Sequence, residues 1–294
     1  MVDLDAAAAF MATHARLLDR RRFDVVVHGS APDALLAALS AHRNPDGGYG
    51  WGLEPDLRST SSQPGPALHA FEVFEDIAPA TSSRAAELCD WLHTVALPDG
   101  GLPFALPVAD AAGTAPFWAQ ADPTVSSLQI TAIVAAVAHR VAAHDPAVAA
   151  HPWLARATRF CLEASAVIGD DPFALELAFA IQVLDAAHPT HPEAADLVAR
   201  LGRHIPAGGS MHVRGGLEHE MMRPLDFAPF PGGPARELFG QEAIEEDLQR
   251  LVDGQQDDGG WAVDFANYSP AAALEWRGHM TVRALTILRH NSII

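Results

Sequence analysis

The chain has 294 residues, 49% of them hydrophobic and only 19% charged, a composition that can bury a large core and excludes a disordered chain. A formal net charge of −18 excludes nucleic acid and anionic membrane surfaces as natural partners. All 19 basic residues are arginine, which excludes a Schiff-base or pyridoxal-phosphate lysine and a Walker-type phosphate loop. From the N-terminus, Met1 to Phe23 carries acids where a secretory leader has basic residues. No apolar run approaches the ~20 residues that span a bilayer, so a cytoplasmic protein is expected. Asp24 to His28 is the one β-branched run. Amphipathic helices are expected at Ala34 to His42, Arg84 to Ala96, Trp153 to Ala166, Ala194 to Ile205 and Gln241 to Val252. A second set reads as apolar on more than one face: Ala67 to Phe74, Ser126 to Ala143, Phe173 to Ala187 and Met280 to Arg289. No Ser/Gly linker divides the chain. The expectation is one all-α domain over residues 1–294, with outer amphipathic helices alternating with inner apolar ones. Cys89 and Cys161 are too few for a disulfide framework or a multi-cysteine zinc site, and read as small buried hydrophobes.

An internal repeat punctuates these helices. Asp-Gly-Gly occurs at Asp46-Gly47-Gly48, Asp99-Gly100-Gly101 and Asp258-Gly259-Gly260. The first interval is about 53 residues and the second about three times that, a period that suits a helical hairpin with its loops. Ala207-Gly208-Gly209-Ser210 reads as a worn copy. Glycine pairs of this kind take positive φ and let neighbouring hairpins approach, and the aromatics beyond them (Tyr49, Trp51 and Trp261) are expected to plug the space between hairpins.

Gln255-Gln256-Asp257-Asp258-Gly259-Gly260-Trp261 fits the QxxxGxW repeat of triterpene cyclases. Asn44-Pro45-Asp46-Gly47-Gly48-Tyr49-Gly50-Trp51 resembles the Gly-Gly-aromatic turns of those cyclases and of protein prenyltransferase β-subunits. The resemblance runs from Ala34 to Asn291. It implies an α/α toroid of about five to six hairpins, whose inner helices surround an aromatic-lined cavity, and chemistry on an isoprenoid substrate. The chain has room for one such helical domain where triterpene cyclases carry two. Neither cysteine sits in the pattern that zinc-dependent prenyltransferases need, and the motifs of thioester domains and lanthionine cyclases are absent.

Chemistry-bearing residues gather before the apolar helices: Glu54-Pro55-Asp56-Leu57-Arg58, then Asp122-Pro123, Asp170-Asp171-Pro172, and Glu275-Trp276-Arg277. The class II cyclases that this chain resembles place a DxDD acid motif at an inner-helix start, and its middle aspartate protonates an alkene. Here Arg58 stands where that aspartate is expected, and no DxDD occurs anywhere. On the cyclase reading Asp56 is the expected proton donor, with Glu54 its partner and Asp122 a further catalytic carboxylate. An apolar setting and a neighbouring carboxylate favour a neutral acid, whereas Arg58 opposes it. Acids at helix starts also cap backbone N–H groups, and Asp122-Pro123 and Asp171-Pro172 fit that simpler pattern.

Expected substrate contacts are Trp51, Phe117, Trp118, Phe227 and Trp276, whose ring faces stabilise cations. Arg58 and Arg277 are expected to grip a diphosphate, in which case Mg²⁺ would accompany it; no other cofactor and no protein metal site is expected. His219, in Glu218-His219-Glu220, is a further candidate for the site. Three functions fit the sequence: an isoprenoid cyclase initiated by a proton, a carbohydrate-active α/α barrel with paired carboxylates, and a non-catalytic toroid that binds a lipid or a protein. Oligomeric state is not legible.

Overall fold

A computed structural model describes all 294 residues. Fourteen α-helices carry the chain: α1 (Leu4–His14), α2 (Leu17–His28), α3 (Asp33–Ser40), α4 (Pro64–Asp76), α5 (Ser83–Val95), α6 (Pro116–Ala119), α7 (Leu128–Ala142), α8 (Pro146–Ala149), α9 (Pro152–Ala166), α10 (Ala174–Ala187), α11 (Ala194–Leu201), α12 (Pro224–Phe227), α13 (Gln241–Asp253) and α14 (Pro270–His290). The only strands are two-residue pairs, Leu102–Pro103 against Ser126–Ser127 and Met211–His212 against Met221–Met222. No helix is long and apolar enough to cross a membrane.

The apolar set of helices forms the interior. From Leu128 to Val141, α7 is buried at nearly every position, and it packs between α4 and α10. In turn, α4 meets α2, and α2 packs along α14. The amphipathic set lies outside, with α5 and α9 covering α4 and α7. The two termini share a core in which Phe10 and Met11 of α1 join Leu248 and Leu251 of α13, Trp261, and Leu285 of α14.

The one β-branched run is helical, and one local expectation needs correcting. The run Asp24 to His28 is the last turns of α2, because Val26 and Val27 pack into this terminal core. The last apolar helix starts at Pro270, capped by the Ser269 hydroxyl. Glu275, Trp276 and Arg277 therefore lie inside α14, not before it.

The three Asp-Gly-Gly turns are built alike. In each, the aspartate Oδ1 accepts from the N–H two residues on: Gly48, Gly101 or Gly260. The first glycine has φ of +92°, +97° or +91°, a conformation that side chains rarely adopt. The same aspartates tie each turn to the next apolar helix, two through a serine just before it and one through a residue within it. Asp46 accepts from Ser62 at 2.8 Å, Asp99 from Ser126 at 2.7 Å, and Asp258 pairs with Arg277 at 2.7 Å. The glycines then seat on an outer helix one turn apart: Gly47 and Gly48 on Glu87 and Trp91 of α5, Gly100 and Gly101 on Arg156 and Phe160 of α9. The third pair, Gly259 and Gly260, seats on Ala6 and Phe10 of α1. Gln255 adds two 2.8 Å bonds to the Asp3 backbone. The N-terminal helix thus stands to the last turn as α5 stands to the first. Tyr49 and Trp261 plug these junctions, but Trp51 does not. It sits at φ +54° with 55% of its surface exposed, and its indole N–H bonds Asn44.

Candidate active site

The first turn feeds a tight loop, Gly50 to Gln63, that carries the acids to the start of α4. The Leu57 N–H returns to the Glu54 carbonyl at 3.1 Å, making the turn that Pro55 favours. The Asp56 backbone is held from both sides: its N–H donates to Glu54 Oε1 at 3.1 Å, and its carbonyl accepts from Ala115 N–H at 2.8 Å. That second bond brings in the segment that carries Phe117 and Trp118. A Cβ on Gly65 would come within 3.1 Å of the Trp118 ring and 3.6 Å of Glu54, so the glycine near the start of α4 is what lets these groups meet.

Asp56 is 4% exposed and Glu54 5%. Burial pushes the Asp56 carboxyl up to about 6, and the nearby Glu54 and Glu275 carboxylates add to the rise. The hydrogen bond from Trp276 and the nearby Tyr268 backbone N–H pull the other way. Trp276 Nε1 donates to Asp56 Oδ2 at 2.7 Å, whereas Oδ1 is buried without a partner. The expected opponent is elsewhere: Arg58 turns to Glu275, 2.6 Å away.

Behind these acids lies a charge network on α2, α4 and α14. His69 Nε2 donates to Glu54 Oε2 at 2.9 Å, and its Nδ1 donates to Glu72 Oε2 at 3.0 Å. Burial alone would depress this imidazole, but Glu72 and Glu54 raise it to about 9, so it is an imidazolium at neutral pH. Burial would raise Glu72; protonated His69 and Arg22 instead hold it well below the usual carboxylate range. Arg22 bonds Asp76 at 2.6 Å, Glu72 at 3.2 Å and His279 Nδ1 at 3.2 Å. His279 therefore accepts at Nδ1, and burial keeps it neutral.

Ligand atoms of His69, Glu72 and His279 all fall within 4.8 Å of one another, a spacing that could hold a metal. The Arg22 guanidinium already supplies the cation at two of the three, and protonated His69 has no lone pair to offer. As these side chains stand, the group is an ion-pair network.

Aromatic rings enclose the acids. Trp276 meets Phe265 edge-on at 5.2 Å, His69 at 5.8 Å and His279 at 5.5 Å. On the other side Trp118 stacks on Phe104 at 4.5 Å and tilts against Phe117, which meets Tyr268 at 5.5 Å. Trp118 Nε1 is, like Asp56 Oδ1, buried and unpaired.

Among the residues singled out from the sequence, Glu54, Asp56, Arg58, Phe117, Trp118 and Trp276 share this region. The others do not. Asp122 is held locally, its carboxylate accepting from the Thr124 N–H and hydroxyl, which hold it below the usual carboxylate range. Arg277 is committed to Asp258 and lies over the Phe10 ring at 4.6 Å. Phe227 is fully buried against Phe239, and His219 is exposed in the Met211–Met222 hairpin loop. Trp51 faces outward. Two hollows lie away from Asp56: one of about 10 Å³ beside Phe74 and Val141, and an open polar groove along Glu246 and Asp253. Sequence reasoning missed Arg22, His69, Glu72 and His279. The one local signal is that His69 and Glu72, three apart, are the first ionisable positions of α4, after an apolar first turn.

No protein-family model matches this sequence, and no curated protein matches it.

Proposed function

We propose that this chain is an isoprenoid cyclase built on a single α/α toroid, with Asp56 as the general acid that starts the reaction. The observation that carries the reading is a buried carboxyl, raised to about 6, with one free oxygen and a surround of aromatic rings. Protonating an alkene needs an acid that is neutral before it acts and set apart from water; a carboxyl at about 6 is neutral in roughly a tenth of molecules at pH 7. In the proposed step the Asp56 O–H bond breaks and the alkene π electrons form the new C–H bond. The carboxylate left behind keeps its bond from Trp276, and the carbocation faces the rings of Trp276, Phe265, Trp118 and Phe117. Asp56 is almost fully covered, so substrate enters by parting the segments that carry Tyr268 and Phe117.

Support for the ring comes from the N-terminal helix, which receives the last Asp-Gly-Gly turn as the next outer helix would. The substrate favoured is a neutral polyprene. Both arginines expected to hold a diphosphate are neutralised, Arg58 by Glu275 and Arg277 by Asp258, and the neighbouring side chains are acidic. Mg²⁺ then has no part.

Product analysis by mass spectrometry tests this. Purified protein meets neutral polyprenes and polyprenyl diphosphates, with and without Mg²⁺, beside Asp56→Asn. A cyclised neutral product that the variant cannot make is the expected result. Lipid that copurifies and is returned unchanged by both proteins would replace the cyclase with a binding role.

A further inference from the structure

We propose that Trp276 is a positioning residue that directs the transferable proton of Asp56 onto Oδ1. The inference rests on the reading of Asp56 as the acid, and it begins from the geometry of one carboxyl group. Oδ2 accepts from Trp276 Nε1 at 2.7 Å, a short bond for an N–H donor. Oδ1 is buried and has no partner. A neutral carboxyl has one carbonyl oxygen and one hydroxyl oxygen, and the carbonyl oxygen is the better acceptor. With an N–H pointed at Oδ2, Oδ2 is the carbonyl oxygen and the proton belongs on Oδ1. Rotation about Cβ–Cγ exchanges two equivalent oxygens, so whichever faces the Trp276 N–H is the carbonyl oxygen and the proton sits on the other.

The donor is fixed. Trp276 lies inside α14, 21 residues long, and its ring is bounded by Phe265, His69 and His279. The two histidines belong to the buried ion-pair network, so the network's rigidity sets the direction of the indole N–H. The same hydrogen bond serves both ends of the step. It marks the carbonyl oxygen while the acid is neutral, and it stabilises the carboxylate once the proton has gone.

The test compares wild type, Trp276→Phe and Phe265→Leu by infrared spectroscopy across a pH titration, without substrate. The band that Asp56→Asn removes identifies the Asp56 carboxyl. Trp276→Phe keeps an aromatic ring and loses the N–H; Phe265→Leu loses the ring contact and keeps the N–H. In Trp276→Phe the carbonyl band is expected to move toward that of a free carboxyl and its midpoint to move up in pH. In Phe265→Leu both stay in place. An unchanged band and midpoint in Trp276→Phe, or an equal change in both variants, overturns the proposal. With a substrate that is turned over, Trp276→Phe is expected to lower kcat about tenfold with KM nearly unchanged; an unchanged kcat overturns it as well. A shifted band in a protein that turns over no substrate would count against the cyclase and leave the hydrogen bond's role intact, so the two failures are told apart.

Discussion

Asp56 shows how a carboxyl acquires its character from what surrounds it. Sequence alone weighs Arg58, two positions away, as a force toward ionisation; in the fold Arg58 is paired with Glu275, and burial decides the outcome. A carboxyl whose folded value, about 6, exceeds its ordinary 3.8 favours the fold only below about pH 4, and that contribution is lost as pH rises to 6. Asp56→Asn removes the loss while keeping an acceptor for Trp276. At pH 7 the variant is expected to be more stable than wild type by about 1–2 kcal/mol in urea unfolding, after allowance for partial solvent screening, and no more stable at pH 4. Equal stability at both pH values would show that the acid is not perturbed.

His69 runs in the same direction at higher pH, through its charged form rather than its neutral one. Its folded value is about 9 against an ordinary 6.5, so its stabilising charge is fully present below pH 6.5 and lost as pH rises through 9. Wild type is expected to weaken over that window, and His69→Gln to lack the slope. Neither His69 nor its partners were legible as a cluster. Arg22 and His279 meet across 257 residues of sequence, a pairing that periodicity does not reveal. Glu54, Asp56 and Trp276 were legible because chemical residue types crowd there in short stretches.

At the scale of elements, helices were legible wherever apolar spacing was clean. The start of α14 was not, because Glu275 and Arg277 interrupt the pattern; the helix continues because each is paired, with Arg58 and Asp258. In α2 the buried face includes Asp19 and Arg22, polar residues that pass for surface until they are seen to pair with Arg16 and Asp76. The Asp-Gly-Gly turns were legible as turns, but their aspartates' bonds to the next helix were not, since Ser62, Ser126 and Arg277 share no motif. Asp99→Ala removes the bonds from Gly101 and Ser126 and is expected to cost about 1–3 kcal/mol by denaturant melts. Gly259→Ala, at φ +91° and pressed on Ala6 of α1, is expected to cost at least as much. A neutral effect of either would separate the repeat from the stability of the fold.

For the whole molecule, the account depends on the two chain ends closing one structure. Phe10 is buried against the Gly259-Gly260 turn and under the Arg277 guanidinium. Phe10→Ala is expected to cost about 3–5 kcal/mol. Hydrogen exchange should show the loss spreading from α1 to α13, α14 and α2, the elements that share its core. Faster exchange confined to α1 would mean that the N-terminal helix is an appendage and that the ring does not close through it.

The proposed reaction leaves one isotopic mark. If Asp56 delivers a proton that it draws from solvent, turnover of a neutral polyprene in D₂O must place one deuterium on the carbon that is first protonated. The measurement is mass spectrometry and deuterium NMR of the product made in D₂O by wild type and by Asp56→Asn. The account predicts a cyclised product with a single deuterium at that carbon from wild type, and no product from the variant. A cyclised product without that deuterium, or one formed equally well by Asp56→Asn, would contradict it.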